Sequence, residues 1–134
     1  MHKKPIGFVG LGNMGGRIAR RLVDAGFVVL GSDAVPGRAE ACGAQAARSL
    51  AEVAEQSDIV LMSLPDSHVV EAVVEGKEGL LRYAKAGQIY VDLSTASVNS
   101  TQRISQRFAD LGATYIDAGT VSYTHLTLPT ICSV

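Results

Sequence analysis

Tryptophan is absent, aromatic residues make up only 5% of the 134-residue chain, and there are just two cysteines, Cys42 and Cys132. The cysteines form no C-x-x-C pair, and His2, His68 and His125 are scattered, so neither a disulfide framework nor a metal site is expected. An excess of charge of one sign is lacking too. Twelve basic and thirteen acidic residues leave a formal net charge of −1, which offers no attraction for nucleic acid or an anionic membrane. Lys3, Lys4, Arg20 and Arg21 therefore read as solvated surface. No apolar run reaches the roughly 18 residues that span a bilayer, and Met1-His2-Lys3-Lys4 leads into a strand instead of a signal-peptide core. The expectation is a cytoplasmic protein with no nucleic-acid, membrane or metal partner. With 47% hydrophobic and 19% charged residues, the composition is that of an ordinary soluble α/β domain. At this length the chain makes a single domain that buries roughly two-thirds of its unfolded surface.

Glycine, by contrast, is plentiful, with fourteen residues, and its placement carries information. Ile6-Gly7-Phe8-Val9 is a short apolar strand that runs into Gly10-Leu11-Gly12-Asn13-Met14-Gly15, a G-x-G-x-x-G turn that opens a helix. This pattern reads as a dinucleotide clamp: Gly10 permits the tight turn, Gly12 lets the backbone approach a pyrophosphate, and Gly15 lets helix and strand pack closely. The free N–H groups and positive dipole end of the helix face the phosphates. In the helix, Met14, Ile18 and Leu22 recur at helical spacing, and Ala25-Gly26 ends it. A second apolar run, Phe27 to Leu30, leads to Asp33, eighteen residues past Gly15. An acid there accepts from the adenosine ribose hydroxyls and repels a 2′-phosphate, which favours NAD over NADP. Two alternatives stay open: Asp33 simply opens the turn Asp33-Ala34-Val35-Pro36-Gly37, and Arg38 pairs with a 2′-phosphate and admits NADP.

Strand and helix patterns then alternate. Gln45-Ala46 reads as a short third strand, Ser49 to Gln56 as a helix with a Ser49/Glu52 capping box, and Ile59 to Met62 as a buried fourth strand. Ser67 to Glu75 reads as a helix with Val69, Val70 and Val73 on one side; a short helical piece follows near Leu80-Leu81, then a strand from Gln88 to Asp92. The last elements are a helix from about Val98 to Leu111, with Ile104, Phe108 and Leu111 on one face, and a strand from Thr114 to Asp117. Alternating β and α units with continuous apolar strands predict a doubly wound parallel sheet of Rossmann type, with ligands at the carboxyl ends of the strands. Those ends carry Leu64-Pro65, either an apolar wall for the cofactor or a strand-ending turn, and Ser94-Thr95, either donors to cofactor or substrate or helix caps. His68 reads as a surface helix residue.

Gly7 to Gly15, Met62-Ser63-Leu64-Pro65, Asp92-Leu93-Ser94-Thr95 and Tyr115-Ile116-Asp117-Ala118-Gly119 together resemble the β-hydroxyacid dehydrogenase family, to which 6-phosphogluconate dehydrogenase is more distantly related. The resemblance implies that Gly10, Leu11, Gly12, Asn13, Met14 and Gly15 hold the pyrophosphate, Asp33 the ribose, Leu64 and Pro65 the cofactor cleft, and Thr95 the nicotinamide end. Ser94 is the implied substrate contact. Family members transfer a hydride between the nicotinamide and a short hydroxyacid and use a lysine as general acid/base. Neither Lys77 nor Lys85 occupies that motif, so no catalytic residue is assigned.

Past Gly119 the family would continue into a Ser-Gly-Gly stretch, the lysine helix and an all-α domain that completes the site in a homo-oligomer. This chain instead reads Thr120 to Val134, where Val121 to Thr130 resembles one frame of a transposase-based sequencing adapter. Residues 1–119 are expected to be the NAD(P)-binding domain, inactive alone and with an apolar surface exposed, and 120–134 a non-native tail. A native strand at Leu126-Thr127-Leu128 is the alternative for the tail. For function, the alternatives are a stand-alone nucleotide-binding regulatory module and an imine-reductase-like fragment.

Overall fold

Short runs of β-branched and aliphatic residues form six strands: β1 (Ile6–Val9), β2 (Val29–Ser32), β3 (Gln45–Ala46), β4 (Ile59–Met62), β5 (Ile89–Asp92) and β6 (Thr114–Asp117). The computed structural model describes residues 4–94 and 98–118. All described strand pairs are parallel, and the order across the sheet is β3-β2-β1-β4-β5-β6. This is the doubly wound arrangement expected from the alternating pattern, with the order reversing between β1 and β4.

Neighbouring strand residues point to opposite faces, and the chain uses this to build two cores. Phe8 and Val29 face α1 (Asn13–Asp24) and α2 (Arg38–Ala41), where they pack with Leu11, Ala19, Ala39 and Ala44. Val9, Val60, Met62, Tyr90 and Tyr115 face the other side, where α3 (Leu50–Gln56), α4 (Ser67–Glu75), α5 (Leu80–Tyr83) and α6 (Val98–Asp110) supply Val53, Val70, Val74, Leu80, Ile104 and Phe108. Tyr90, Phe108 and Tyr115 form a stack, with centroids 4.3 Å and 5.5 Å apart. On the α1 side of β4 to β6 the apolar surface stays exposed: Ile59 is 40% accessible, Ile89, its register partner, 37%, and Ile116 42%.

Helix boundaries follow capping chemistry. Ser49 caps α3 by accepting the Glu52 N–H at 3.2 Å, while the Glu52 carboxylate reaches past Ser49 to the Arg48 N–H at 2.8 Å. Asp66 caps α4 by accepting the Val69 N–H at 3.0 Å. Three helix faces differ from their expected pattern. In α1 the face against the sheet is Gly15 and Ala19, and Met14 is 55% exposed, because small side chains bring the helix closer than a methionine stripe allows. In α4 Val70 and Val74 enter the core, while Val69 and Val73 turn to a crevice at the sheet's carboxyl edge. In α6 Ile104 and Phe108 are buried but Leu111 is 42% exposed, since the helix ends at Asp110 and Gly112 turns the chain with φ +83°. Helix α2 was not legible, as four residues hold too little periodicity. Among the described residues no helix is long and apolar enough to cross a membrane.

Candidate functional site

A cavity of about 630 Å3 opens at the carboxyl ends of β1, β2 and β4, where the strand order reverses. The glycine turn forms its floor, and its three motif glycines are required for different reasons. Gly10 has φ +93°, and a Cβ there would lie 2.1 Å from the Ser63 carbonyl oxygen. A Cβ on Gly15 would lie 2.0 Å from the Gly10 oxygen, so this glycine sets the approach of α1 to the strand. Gly12 is unlike both: a Cβ there would meet only an Arg38 nitrogen, at 3.7 Å, and otherwise points into the cavity.

Asn13, Met14 and Gly15, the first residues of α1, line the same cavity. The helix carries no side-chain cap and no acidic residue in its first turn. Its unpaired amide donors and positive dipole end therefore face a space that an anion can fill, and the donor set fits a pyrophosphate.

Asp33 sits just past β2 with its side chain 8% exposed. One carboxylate oxygen accepts the Leu11 N–H at 2.6 Å, tying the end of β2 to the glycine turn. The other accepts the Val35 N–H at 2.8 Å and lies 3.4 Å from an Arg38 nitrogen. Burial opposes the charge, but the Val35 and Leu11 N–H groups and the Arg38 guanidinium outweigh it and hold the carboxyl below its usual range. The turn-opening role weighed for Asp33 is thus present, together with a position on the cavity wall. Much of the remaining lining is apolar, from Val35, Leu50, Leu64, Pro65, Val69 and Val73.

Leu64 and Pro65 are held in place from beneath. The Leu64 N–H donates to Ser94 Oγ at 2.6 Å, the Ser94 N–H donates to Asp92 Oδ1 at 2.8 Å, and the Tyr115 hydroxyl donates to Asp92 Oδ2. Asp92 is fully buried and Ser94 is 3% exposed. Burial, and then the Asp92 carboxylate, push the Tyr115 phenol well above its ordinary range. Sequence reasoning missed this chain; the available signal was a charged residue closing the apolar run Ile89-Tyr90-Val91-Asp92. Ser94 thus supports the wall and does not line the cavity, and Thr95 lies outside the described residues. Lys77 and Lys85 lie toward the opposite edge of the sheet, where Lys85 Nζ donates to the Glu55 carbonyl, and His68 is exposed on α4. Among the described residues no group of histidine, cysteine, aspartate and glutamate could hold a metal ion.

Comparison with known proteins agrees with this geometry. The family model described as the NAD binding domain of 6-phosphogluconate dehydrogenase matches residues 5–123. Among curated proteins, 2-(hydroxymethyl)glutarate dehydrogenase of Eubacterium barkeri is 40% identical over 116 residues, covering 84% of this chain and 38% of that protein. Among solved structures, a Mycobacterium tuberculosis 3-hydroxyisobutyrate dehydrogenase determined with L-serine is 32% identical with a TM-score of 0.74, covering 85% of this chain and 39% of that one. An imine reductase from Pseudomonas sp. follows at 28% identity and a TM-score of 0.71, with 85% and 40% covered. The chain therefore spans about two-fifths of the length of these relatives. Fold, glycine turn and family match converge: the chain belongs to the family of the NAD-binding domain of 6-phosphogluconate dehydrogenase, among relatives that are β-hydroxyacid dehydrogenases.

Proposed function

We propose that the crevice holds NAD in an extended pose along the carboxyl edge of the sheet. Gly10 to Gly15 and the amide end of α1 take the pyrophosphate, Asp33 the adenosine ribose, and the apolar lining at Leu64 and Pro65 the adenine ring. The family resemblance gives Thr95 to the nicotinamide end, and Ser94, whose hydroxyl accepts the Leu64 N–H, positions the Leu64 wall of the crevice. NAD, when bound, supplies the hydride acceptor or, once reduced, the donor. The chain's own residues bind it, orient it and shield the rings from water.

In a protein of the relatives' length this domain would serve oxidation or reduction of a short hydroxyacid, supported by the relatives' names and by the domain match. Its partners there are the hydroxyacid and further copies of the same chain, in the cytoplasm. On this reading residues 1–119 are the cofactor domain, with no catalytic side chain assigned, and 120–134 a non-native tail, although the family match extends to residue 123. One observation carries the reading: Gly12, alone of the three motif glycines, has room for a Cβ, on the cavity wall beside an uncapped helix end.

Fluorescence titration of NADH into the wild-type chain and into Gly12→Ala and Asp33→Ala variants tests it. Each variant should bind about tenfold or more weakly. Unchanged affinity in both would contradict the assignment.

A further inference from the structure

We propose that Asp92 and Tyr115 are positioning residues for the cofactor: acting through Ser94 they fix the Leu64-Pro65 wall, so the fit of the dinucleotide is set from β5 and the edge strand β6. The inference rests on the dinucleotide reading above and extends it to two buried residues that do not line the cavity. Just past β4 the Ser63 N–H still follows the sheet and donates to the Val9 carbonyl at 2.9 Å. The next amide, that of Leu64, donates instead to a side chain, Ser94 Oγ, at 2.6 Å. From Leu64 onward the wall therefore depends on a serine in the loop after β5.

The segment that Ser94 holds touches both sides of the crevice. A Cβ on Gly10 would lie 2.1 Å from the Ser63 oxygen and 3.0 Å from Leu64 Cδ2, and one on Gly15 would lie 3.1 Å from Ser63 Cβ. Ser63 and Leu64 are thus packed on the glycine turn, and a small displacement of Leu64 alters the pyrophosphate floor and the apolar lining together. Ser94 is oriented in turn by Asp92 Oδ1, which accepts its N–H at 2.8 Å, while Asp92 Oδ2 accepts the Tyr115 hydroxyl. A fully buried carboxylate is costly to hold, and hydrogen bonds to a charged acceptor are the short, strong ones. A leucine at position 92 would close the apolar run of β5 at less cost, but would leave the Ser94 N–H and the Tyr115 hydroxyl without this acceptor.

The fold contains its own control. Tyr115 pairs in register with Tyr90 of β5, and both rings stack on Phe108. The Tyr90 hydroxyl, however, donates to Gln88 Oε1 at 2.9 Å at the amino edge of the sheet, where Gln88 Nε2 donates to the Ala54 and Ser57 carbonyls. The same side chain in the same stack is tied once toward the crevice and once away from it.

The test titrates NADH by fluorescence into the full chain and into Tyr115→Phe, Tyr90→Phe and Ser94→Ala, with urea unfolding used to keep each titration where the variant is folded. Affinity should fall about fivefold in Tyr115→Phe and about tenfold in Ser94→Ala, and stay within about twofold of wild type in Tyr90→Phe. Hydrogen exchange at the Leu64 amide should quicken in the first two variants and not in Tyr90→Phe. A purely structural hydroxyl would lower stability in both tyrosine variants and leave affinity alone. Wild-type affinity in Tyr115→Phe and Ser94→Ala, or an equal loss in the two tyrosine variants, therefore overturns the proposal. If Tyr115→Phe does not fold, Ser94→Ala, whose effect does not pass through the aromatic stack, decides. Absence of NADH binding to the wild-type chain is a different failure: it removes the dinucleotide reading and the proposal with it.

Discussion

A Cβ at position 15 would sit 2.0 Å from the Gly10 carbonyl oxygen, with Ser63 Cβ a further 3.1 Å neighbour, so α1 must retreat from the strand to admit it. Gly15→Ala should therefore cost about 1–3 kcal/mol, read from urea unfolding, and should weaken NAD binding as a consequence. Gly12→Ala should leave unfolding within about 0.5 kcal/mol of wild type, because its Cβ points into open cavity. Asp33 gives the pH dependence at this scale. Its folded pKa is depressed below 3.8, so the stability it adds is present above that value and is lost as the pH falls through the folded-state pKa. The difference in melting temperature between wild type and Asp33→Asn should accordingly be constant from neutral pH to about 5 and shrink in the acid range below about 4. A difference that grew on acidification would contradict the geometry at Leu11 and Val35.

Element by element, the bounds legible in the sequence were those with two independent signals. Strand β4 was legible from its continuous apolar run before Leu64-Pro65 and helix α4 from its valine spacing, whereas the Asp66 cap of α4 emerged only in the structure. Ser49 announced α3, and Ser49→Ala should cost about 1 kcal/mol in thermal or urea unfolding, the value of an N-cap whose oxygen takes the Glu52 N–H. Asp66→Ala should act on α4 in the same way. What stayed hidden depends on distant partners. Helix α2 is four residues long and starts from Gly37 at φ +87°, a conformation that the sequence marks only as a turn. Met14 keeps helical spacing with Ile18 and Leu22, yet the helix rotates toward Gly15 and Ala19 because close approach to β1 is what the glycine turn demands. The Tyr115–Asp92–Ser94 chain links β6, the end of β5 and the loops after β5 and β4, a juxtaposition that follows from strand order, which one strand's pattern does not contain.

Across the whole molecule, the sheet order puts the glycine turn, Asp33 and Leu64-Pro65 around one cavity, the convergence that the loop positions predicted. The candidate site was legible in its glycine turn and in the strand-end residues Asp33, Leu64 and Pro65. The grouping of Arg17, Arg20 and Arg21 with Arg38 was not, because they belong to two helices that only the fold brings together. The two sheet faces also differ. Phe108 is fully buried between Tyr90 and Tyr115, whereas Ile116 is 42% exposed on the opposite face. Phe108→Ala should cost about 3–5 kcal/mol, while Ile116→Thr should change unfolding by about 0.5 kcal/mol or less. A large cost at Ile116 would show that this face is covered in solution.

The claim that the glycine turn is a dinucleotide site is tested most directly by amide NMR of the chain during titration with NAD. The account predicts saturable shifts concentrated at the amides of Gly10 to Gly15, Asp33 to Val35 and Leu64, with the α5 and α6 surface around Lys77 and Arg107 unmoved. Shifts confined to that far surface, or none at saturating NAD, would contradict it.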